Sequence, residues 1–118
     1  ENKKEGLPRI DKLRMLNASV LFLSIEPLLE DLEQIDLTNI NWVIVGGESG
    51  NNARPMDKQW VENIKTQCNN SNVAFFFKQW GTWGADKVKR SKKENGKELN
   101  GKVWHEYPAS IKKQYKKL

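Results

Sequence analysis

The sequence predicts an α/β fold: a partial βα-barrel with three parallel strands, followed by a basic C-terminal hairpin and tail. Three short apolar runs lie at about residues 20–25, 42–46 and 73–78, as expected of strands buried in a parallel sheet. The connections between the runs are long enough to cross over to a parallel neighbour. Right-handed crossovers place the carboxyl ends of such strands at one edge of the sheet. Because three strands cannot close a barrel, they would form either part of one or a small open sheet.

The stretch Asn41–Gly50, NWVIVGGESG, contains the most informative strand end. Its apolar run Trp42–Val45 stops at Gly46-Gly47, and two glycines allow the backbone to turn sharply and to approach a ligand closely. A carboxylate, a hydroxyl and an amide follow. Ligands of α/β folds bind outside the carboxyl ends of strands. We therefore interpret this turn as the rim of a small-molecule site, with a tight turn that carries solvated polar residues as the open alternative.

The other two strand ends also carry charge. The first run ends in Glu26-Pro27 and the third in Lys78. The carboxylates could bind the amine of a small cationic ligand, or they could form internal ion pairs of Glu26 with Lys78 and of Glu48 with Arg54. A metal site from the two glutamates is disfavoured because no histidine lies nearby. The candidate ligand-binding residues are Glu26, Gly46, Gly47, Glu48, Ser49, Arg54, Lys78, Gln79 and Trp80.

The remaining segments predict short elements around this sheet. Asp57–Asn69 is the best helix, with Asp57 as its N-cap and an apolar stripe that includes Cys68. A shorter amphipathic pattern runs through Ile10, Leu13 and Leu16, and residues 28–40 are ambiguous between a short helix and a turn. Asn100-Gly101 predicts a type I′ hairpin within residues 97–104. Tyr107-Pro108 can start a last helix through Ile111 and Tyr115.

Composition is typical of a soluble, cytoplasmic protein. Charged residues make up 30% of the 118 residues, and no apolar run approaches the ~18 residues that span a bilayer. The single cysteine excludes an intrachain disulfide and a cysteine-based metal site, and it suggests a reducing compartment. The chain starts at Glu1, so we expect a processed or truncated piece.

Positive charge is concentrated in the last third of the chain. Residues 82–118 contain eleven basic and four acidic side chains, a net charge of +7, whereas residues 1–81 contain nine basic and eleven acidic ones. This contrast predicts a partial barrel in 1–81 and a basic region in 82–118, whose loop, hairpin and short helix either pack on the barrel or trail from it. A nucleic-acid-binding module is the alternative function, although solvated lysine loops are commoner and we expect weak or no binding. Its candidate residues are Lys89, Arg90, Lys92 and Lys93, interleaved with aromatic side chains.

Other chemistries find little support in the sequence. A hydrolase would pair Ser49 with His105 and Glu48, but the G-x-S-x-G elbow is absent and the only histidine lies in the basic region. The G-x-G-x-x-G dinucleotide fingerprint and the phosphate-binding loop are absent as well.

Three motifs together resemble an uncharacterised protein family, common in phages and bacteria, that is related to radical S-adenosylmethionine (SAM) enzymes. They are FLSIEPLL, then WVIVGGESG followed by ARPM and WV..I..QC, and finally FFFKQWG. The resemblance extends from Glu1-Asn2 to Trp104–Pro108. It implies a βα-barrel of which this chain is the C-terminal half, inactive by itself, with the strand ends forming part of a substrate site.

The resemblance also implies cofactors for the full-length parent. Its N-terminal half carries a three-cysteine motif for a [4Fe-4S] cluster, which this chain lacks, so we expect no cofactor in the chain itself. The Gly-Gly-Glu of residues 46–48 resembles the SAM-contacting motif of radical enzymes. The expected partner is either the missing N-terminal half or a second copy of this chain, because the strands Val20–Ile25 and Ala74–Phe77 would leave open sheet edges. The basic hairpin near Asn100-Gly101 could shield one of these edges, but hardly both.

Overall fold

A computed structural model describes residues 21–108 and contains a three-stranded parallel sheet. The strands are β1 (Phe22–Ile25), β2 (Trp42–Val45) and β3 (Ala74–Phe77), in that order. Ile25 pairs with Val45, which pairs with Phe77, so the three carboxyl ends are level at one edge. The predicted strands are confirmed with slightly shorter bounds, and the parallel arrangement is confirmed as well.

Helix α1 (Lys58–Asn70) connects β2 to β3. Asp57 caps it as predicted, because its Oδ1 accepts a hydrogen bond of 2.8 Å from the backbone N–H of Gln59. Val61, Ile64 and Cys68 form the buried stripe. The spacing of apolar residues therefore predicted both the helix and the face that it turns to the core.

The core lies on one face of the sheet only. Leu23, Val43 and Phe75 point into it from the three strands, and both connections contribute to the same cluster. The prediction that the strands are buried on both faces is wrong for the described residues, since Phe22 is 49% exposed. Both crossovers pass over the same face, which leaves the other face to a row of rings. We call this row the aromatic face: Phe22, Trp42, Phe76, His105 and Tyr107.

The connection from β1 to β2 contains a turn but no helix. Most of its apolar residues are buried, yet Glu33 has a φ of 58° and breaks any helical path. The Glu33 carbonyl accepts hydrogen bonds from Asn63 Nδ2 at 3.0 Å and from Gln67 Nε2 at 2.6 Å, and Gln67 Oε1 accepts from the Ile35 N–H at 2.8 Å. Side chains of α1 therefore satisfy the backbone groups that a short helix would otherwise have paired internally.

The basic region folds back onto the core. It contains the single-turn helix α2 (Lys92–Asn95) and the hairpin of β4 (Glu98–Leu99) and β5 (Lys102–Val103). Asn100 and Gly101 both have positive φ, 56° and 76°, as the predicted type I′ turn requires. Leu99 is fully buried in the core, so the hairpin packs on the sheet region.

The chain after the hairpin pairs with the outer edge of β3. The Phe77 N–H donates to the Trp104 carbonyl at 2.7 Å, and the Glu106 N–H donates to the Phe75 carbonyl at 3.2 Å. Glu106 also accepts the Phe75 N–H through its side chain, at 2.9 Å. The edge at Ala74–Phe77 is therefore the one that is covered, by the chain just after the hairpin, whereas β1 has no strand on its outer edge within residues 21–108.

Two predicted helices, through Ile10 and through Ile111, lie outside the described residues. Within residues 21–108, none of the helices is long and apolar enough to cross a membrane.

We expect the protein to associate through the outer edge of β1 and the adjoining aromatic face, because apolar burial there contributes roughly 25 cal/mol per Å². Phe22→Glu should convert the assembly to a monomer without unfolding it, since Phe22 is already half exposed. Val103→Glu provides a matched control, because Val103 is 41% exposed on the hairpin. Light scattering and circular dichroism measure both properties, and a wild-type monomer at high micromolar concentration would contradict the prediction.

Candidate functional site

A cleft of about 530 Å³ opens at the carboxyl ends of the three strands. It contains residues from every strand end, so the prediction that Glu26, Glu48 and Lys78 share one rim is confirmed. Lys92 of α2 also lines the cleft, although it belongs to the basic region of residues 82–118. The lining residues are Ser24, Glu26, Pro27, Gly47, Glu48, Ser49, Lys78, Gln79 and Lys92.

Glu26 is held by two neighbours from the end of β3. Lys78 Nζ lies 3.3 Å and 3.2 Å from the two carboxylate oxygens, and Gln79 Nε2 donates to Oε1 at 3.1 Å. Gln79 is buried and lies 3.3 Å from the Gly47 carbonyl, whereas the Lys78 side chain is 51% exposed. The buried Gln79 amide therefore orients the Glu26 carboxylate, and the exposed Lys78 ammonium contacts the same carboxylate from the solvent.

Glu48 points to the other end of its own loop. Its two oxygens accept hydrogen bonds from Arg54 Nε and a terminal guanidinium nitrogen at 3.0 Å and 2.9 Å, and the Arg54 backbone N–H adds a third at 2.9 Å. These hydrogen bonds lower the pKa of Glu48 to about 2. Both of the internal ion pairs that the sequence left open are thus formed, and Glu48 is the more tightly engaged of the two carboxylates.

The glycines of the rim are required by backbone packing. A Cβ on Gly47 would lie 1.9 Å from the Trp80 carbonyl oxygen, and a Cβ on Gly81 would lie 2.4 Å from the Glu48 carbonyl oxygen. A Cβ on Gly46 would meet only the Glu26 side chain, at 3.1 Å from Cδ. The loop after β2 therefore lies directly against the loop after β3, which the sequence did not indicate.

Residues that the sequence analysis overlooked lock these two loops together. Thr82 Oγ1 accepts the Gly50 N–H at 3.0 Å, and Asn95 Nδ2 donates to the carbonyls of Gly81 and Thr82 at 2.9 Å and 2.8 Å. Trp83 Nε1 donates to the Ala53 carbonyl at 2.8 Å. Neither Thr82 nor Asn95 has a sequence signal that would have singled it out, because their partners are backbone groups of a distant loop.

Two tryptophans of the loop after β3 pack against other parts of the chain. Trp83 is half-buried by its contact with the loop after β2. Trp80 was a candidate ligand-binding residue, yet it is only 3% exposed, and its indole N–H donates to the Glu98 carbonyl at 2.8 Å. The hairpin covers the Trp80 ring, which therefore belongs to the core and does not line the cleft.

The structure does not bring the hydrolase residues together. Ser49 lines the cleft, whereas His105 stacks on Phe76 with ring centroids 4.1 Å apart and does not line it. His105 Nε2 is buried and has no hydrogen-bond partner among residues 21–108. Burial, followed by the charge of Lys97, lowers the pKa of His105.

Within residues 21–108, no group of three histidine, cysteine or acidic side chains could hold a metal ion. Cys68 is buried on α1, and burial raises the pKa of its thiol to about 12. Cluster ligation requires a thiolate, so the described residues do not fit an iron–sulfur cluster.

The basic residues proposed for nucleic acid are partly occupied within the protein. Arg90 forms a bidentate pair with Asp86 and also donates to Asn95 Oδ1, and the Lys89 ammonium lies 5.1 Å from the centre of the Trp83 ring. Lys92 and Lys93 are exposed on α2. These contacts stabilise the loop before α2, and nucleic-acid binding stays a prediction.

One family model matches residues 1–108, and its description is "Protein of unknown function (DUF5131)". The chain belongs to the DUF5131 family. The match carries no link to radical SAM enzymes or to phages. Neither the curated proteins nor the solved structures contained a match to the chain. The function of the DUF5131 family is not characterised, so a function for this chain has to be inferred from the geometry of the cleft.

Gly47→Ala should lower the free energy of unfolding by about 3 kcal/mol, the upper end of typical overpacking costs, because two backbones would have to separate. Gly46→Ala should lower it by about 1 kcal/mol or less, because only the Glu26 side chain must move. Urea unfolding of both variants measures the difference. Equal stability of the two variants would show that the loops are not in close contact.

Acid should remove a stabilising contribution of Glu48. Its pKa is near 4.5 in the absence of the pair and about 2 in the folded protein, so the unfolded chain binds the proton more readily. The contribution is therefore present above about pH 4.5 and is lost as the pH falls toward 2. Glu48→Gln should flatten the stability–pH curve in this window, whereas Glu98→Gln, an exposed control on β4, should leave it unchanged.

Proposed function

We propose that the chain is the ligand-binding part of a larger βα-barrel and binds a small molecule with a cationic group at the strand-end cleft. The observation that carries this proposal is Glu26, whose carboxylate lies at the carboxyl end of a parallel strand and faces the open cleft. Parallel α/β folds place their ligands at this edge. The resemblance to radical SAM enzymes supports the same edge as part of a substrate site.

The pairing of Glu26 leaves it available to a ligand. Its partner Lys78 is 51% exposed, and exposed ion pairs contribute only about 0.2–1 kcal/mol. A ligand ammonium can therefore take the place of the lysine at small cost. Gln79 stays in position because it is buried, so the carboxylate remains aimed at the cleft. Glu48 is a poorer candidate because three hydrogen bonds from Arg54 already satisfy it.

SAM is the ligand that the family resemblance suggests, and its amino-acid end carries an ammonium group. Glu26 and Gln79 would hold that end, with the loop after β2 as the wall of the site. Reductive SAM cleavage would require an electron from a cluster outside the described residues, which offer no thiolate set. In this proposal the chain binds and orients the ligand, and the other half of the barrel carries the redox chemistry.

NMR titration of the isotope-labelled chain with SAM tests the proposal. Amide signals of Glu26, Gly47 and Lys78 should shift at millimolar SAM, and Glu26→Gln should weaken binding about tenfold or more, because a charge-assisted hydrogen bond is lost. Glu98→Gln removes the same charge on the exposed hairpin and should have no effect. Adenosine, which lacks the ammonium, should bind equally weakly to the wild type and to Glu26→Gln.

Shifts confined to other surfaces, or equal SAM affinity in the wild type and Glu26→Gln, would contradict the proposal. If SAM binding depended on Lys89 and Arg90 and not on Glu26, the binding site would lie in the basic loop and the proposal would be wrong.

A further inference from the structure

Three hydrogen-bond donors in the cleft have no partner in the described part of the chain. The hydroxyls of Ser24 and Ser49 and the ammonium of Lys92 all line the cleft, and none of these side chains forms a hydrogen bond or an ion pair with residues 21–108. The carboxylates of the same cleft are different, because Glu26 and Glu48 are each paired with a cation. Each of the three unpaired side chains can donate a hydrogen bond to a ligand.

The charges in and around the cleft also favour an anionic ligand group. Lys78 neutralises Glu26, and Arg54 neutralises Glu48. Lys92 adds one further positive charge that pairs with neither glutamate, so the lining residues taken together with Arg54 carry one positive charge more than negative charges. An anionic group is the complement of one ammonium and two hydroxyls.

The backbone holds these donors in place from three separate elements. Ser24 lies on β1, two positions before Glu26, and Ser49 follows the glycine turn after β2. Lys92 is in the first turn of α2, where Ser91 and Glu94 form a capping box and Asn95 is bonded to the loop after β3. The convergence is a property of the fold, since the three residues are far apart in sequence.

We propose that Ser24, Ser49 and Lys92 form an anion-binding subsite for a carboxylate or a phosphate of the ligand. This inference rests on the proposed function, because it assigns the second end of the molecule whose cationic end meets Glu26. The ligand class is then a small molecule that carries both charges, as a free amino acid or an aminoalkyl phosphate does. A lone anion should occupy the same subsite weakly.

NMR titrations with inorganic phosphate and with succinate, at constant ionic strength against sodium chloride, test the subsite and distinguish the two anions. Amide signals of Ser24, Ser49 and Lys92 should shift, and Lys92→Gln should weaken the binding about tenfold. Lys93→Gln is the matched control, since it removes the same charge from the next residue of α2 but lies outside the cleft. It should leave the affinity unchanged.

Equal losses in Lys92→Gln and Lys93→Gln would indicate diffuse charge attraction and would overturn the subsite, as would shifts that avoid the two serines. Glu26→Gln separates this inference from the proposed function. It should weaken SAM binding but leave phosphate binding intact or stronger, because Lys78 is released from its partner. Phosphate binding without SAM binding would support the subsite and defeat the assignment of the cationic end.

Discussion

The site depends on the direct contact of two loop backbones. Gly47 lies so close to the Trp80 carbonyl that a Cβ has no room, and its N–H donates to the Gln79 carbonyl at 2.9 Å. The turn after β2 is thereby attached to the turn after β3. The Thr82 N–H adds a second hydrogen bond between them, to the Glu48 carbonyl at 3.1 Å. Without this contact the strand ends would still be level, but the loops after β2 and β3 would not form one continuous wall of the cleft.

The buried and the exposed partners of Glu26 have different roles in the cleft. The buried amide of Gln79 orients Glu26, and the exposed ammonium of Lys78 competes with solvent and with any ligand. A carboxylate in this setting is held in position, but its ion pair is weak, so a ligand can replace the lysine. The Glu48–Arg54 pair has the opposite character, because it closes its own loop and is saturated with hydrogen bonds. In the function that we propose, the same residue type would therefore serve binding at one strand end, while it serves structure at the next.

The two faces of the sheet have different relations to the rest of the molecule. One face is covered by α1 and by the connection from β1, and it forms the core. Among residues 21–108, the aromatic face is covered only by the chain after the hairpin, where His105 stacks on Phe76 and the Glu106 carbonyl accepts a hydrogen bond of 2.9 Å from the Trp42 indole N–H. In the βα-barrel that we propose, the crossovers would likewise all lie on one side of the sheet. The proposed partner half would lie against this second face.

The sequence by itself determined the three strands, their parallel order, the capped helix α1 and the hairpin, because apolar runs, capping residues and Asn-Gly turns are local signals. It also placed Glu26, Glu48 and Lys78 at one rim, since parallel strands end together. Only the tertiary structure decided that Trp80 is buried, that β3 is covered by the chain after the hairpin, and that Lys92 reaches the cleft. Those outcomes depend on hydrogen bonds and contacts between segments distant in sequence, for which no local pattern exists.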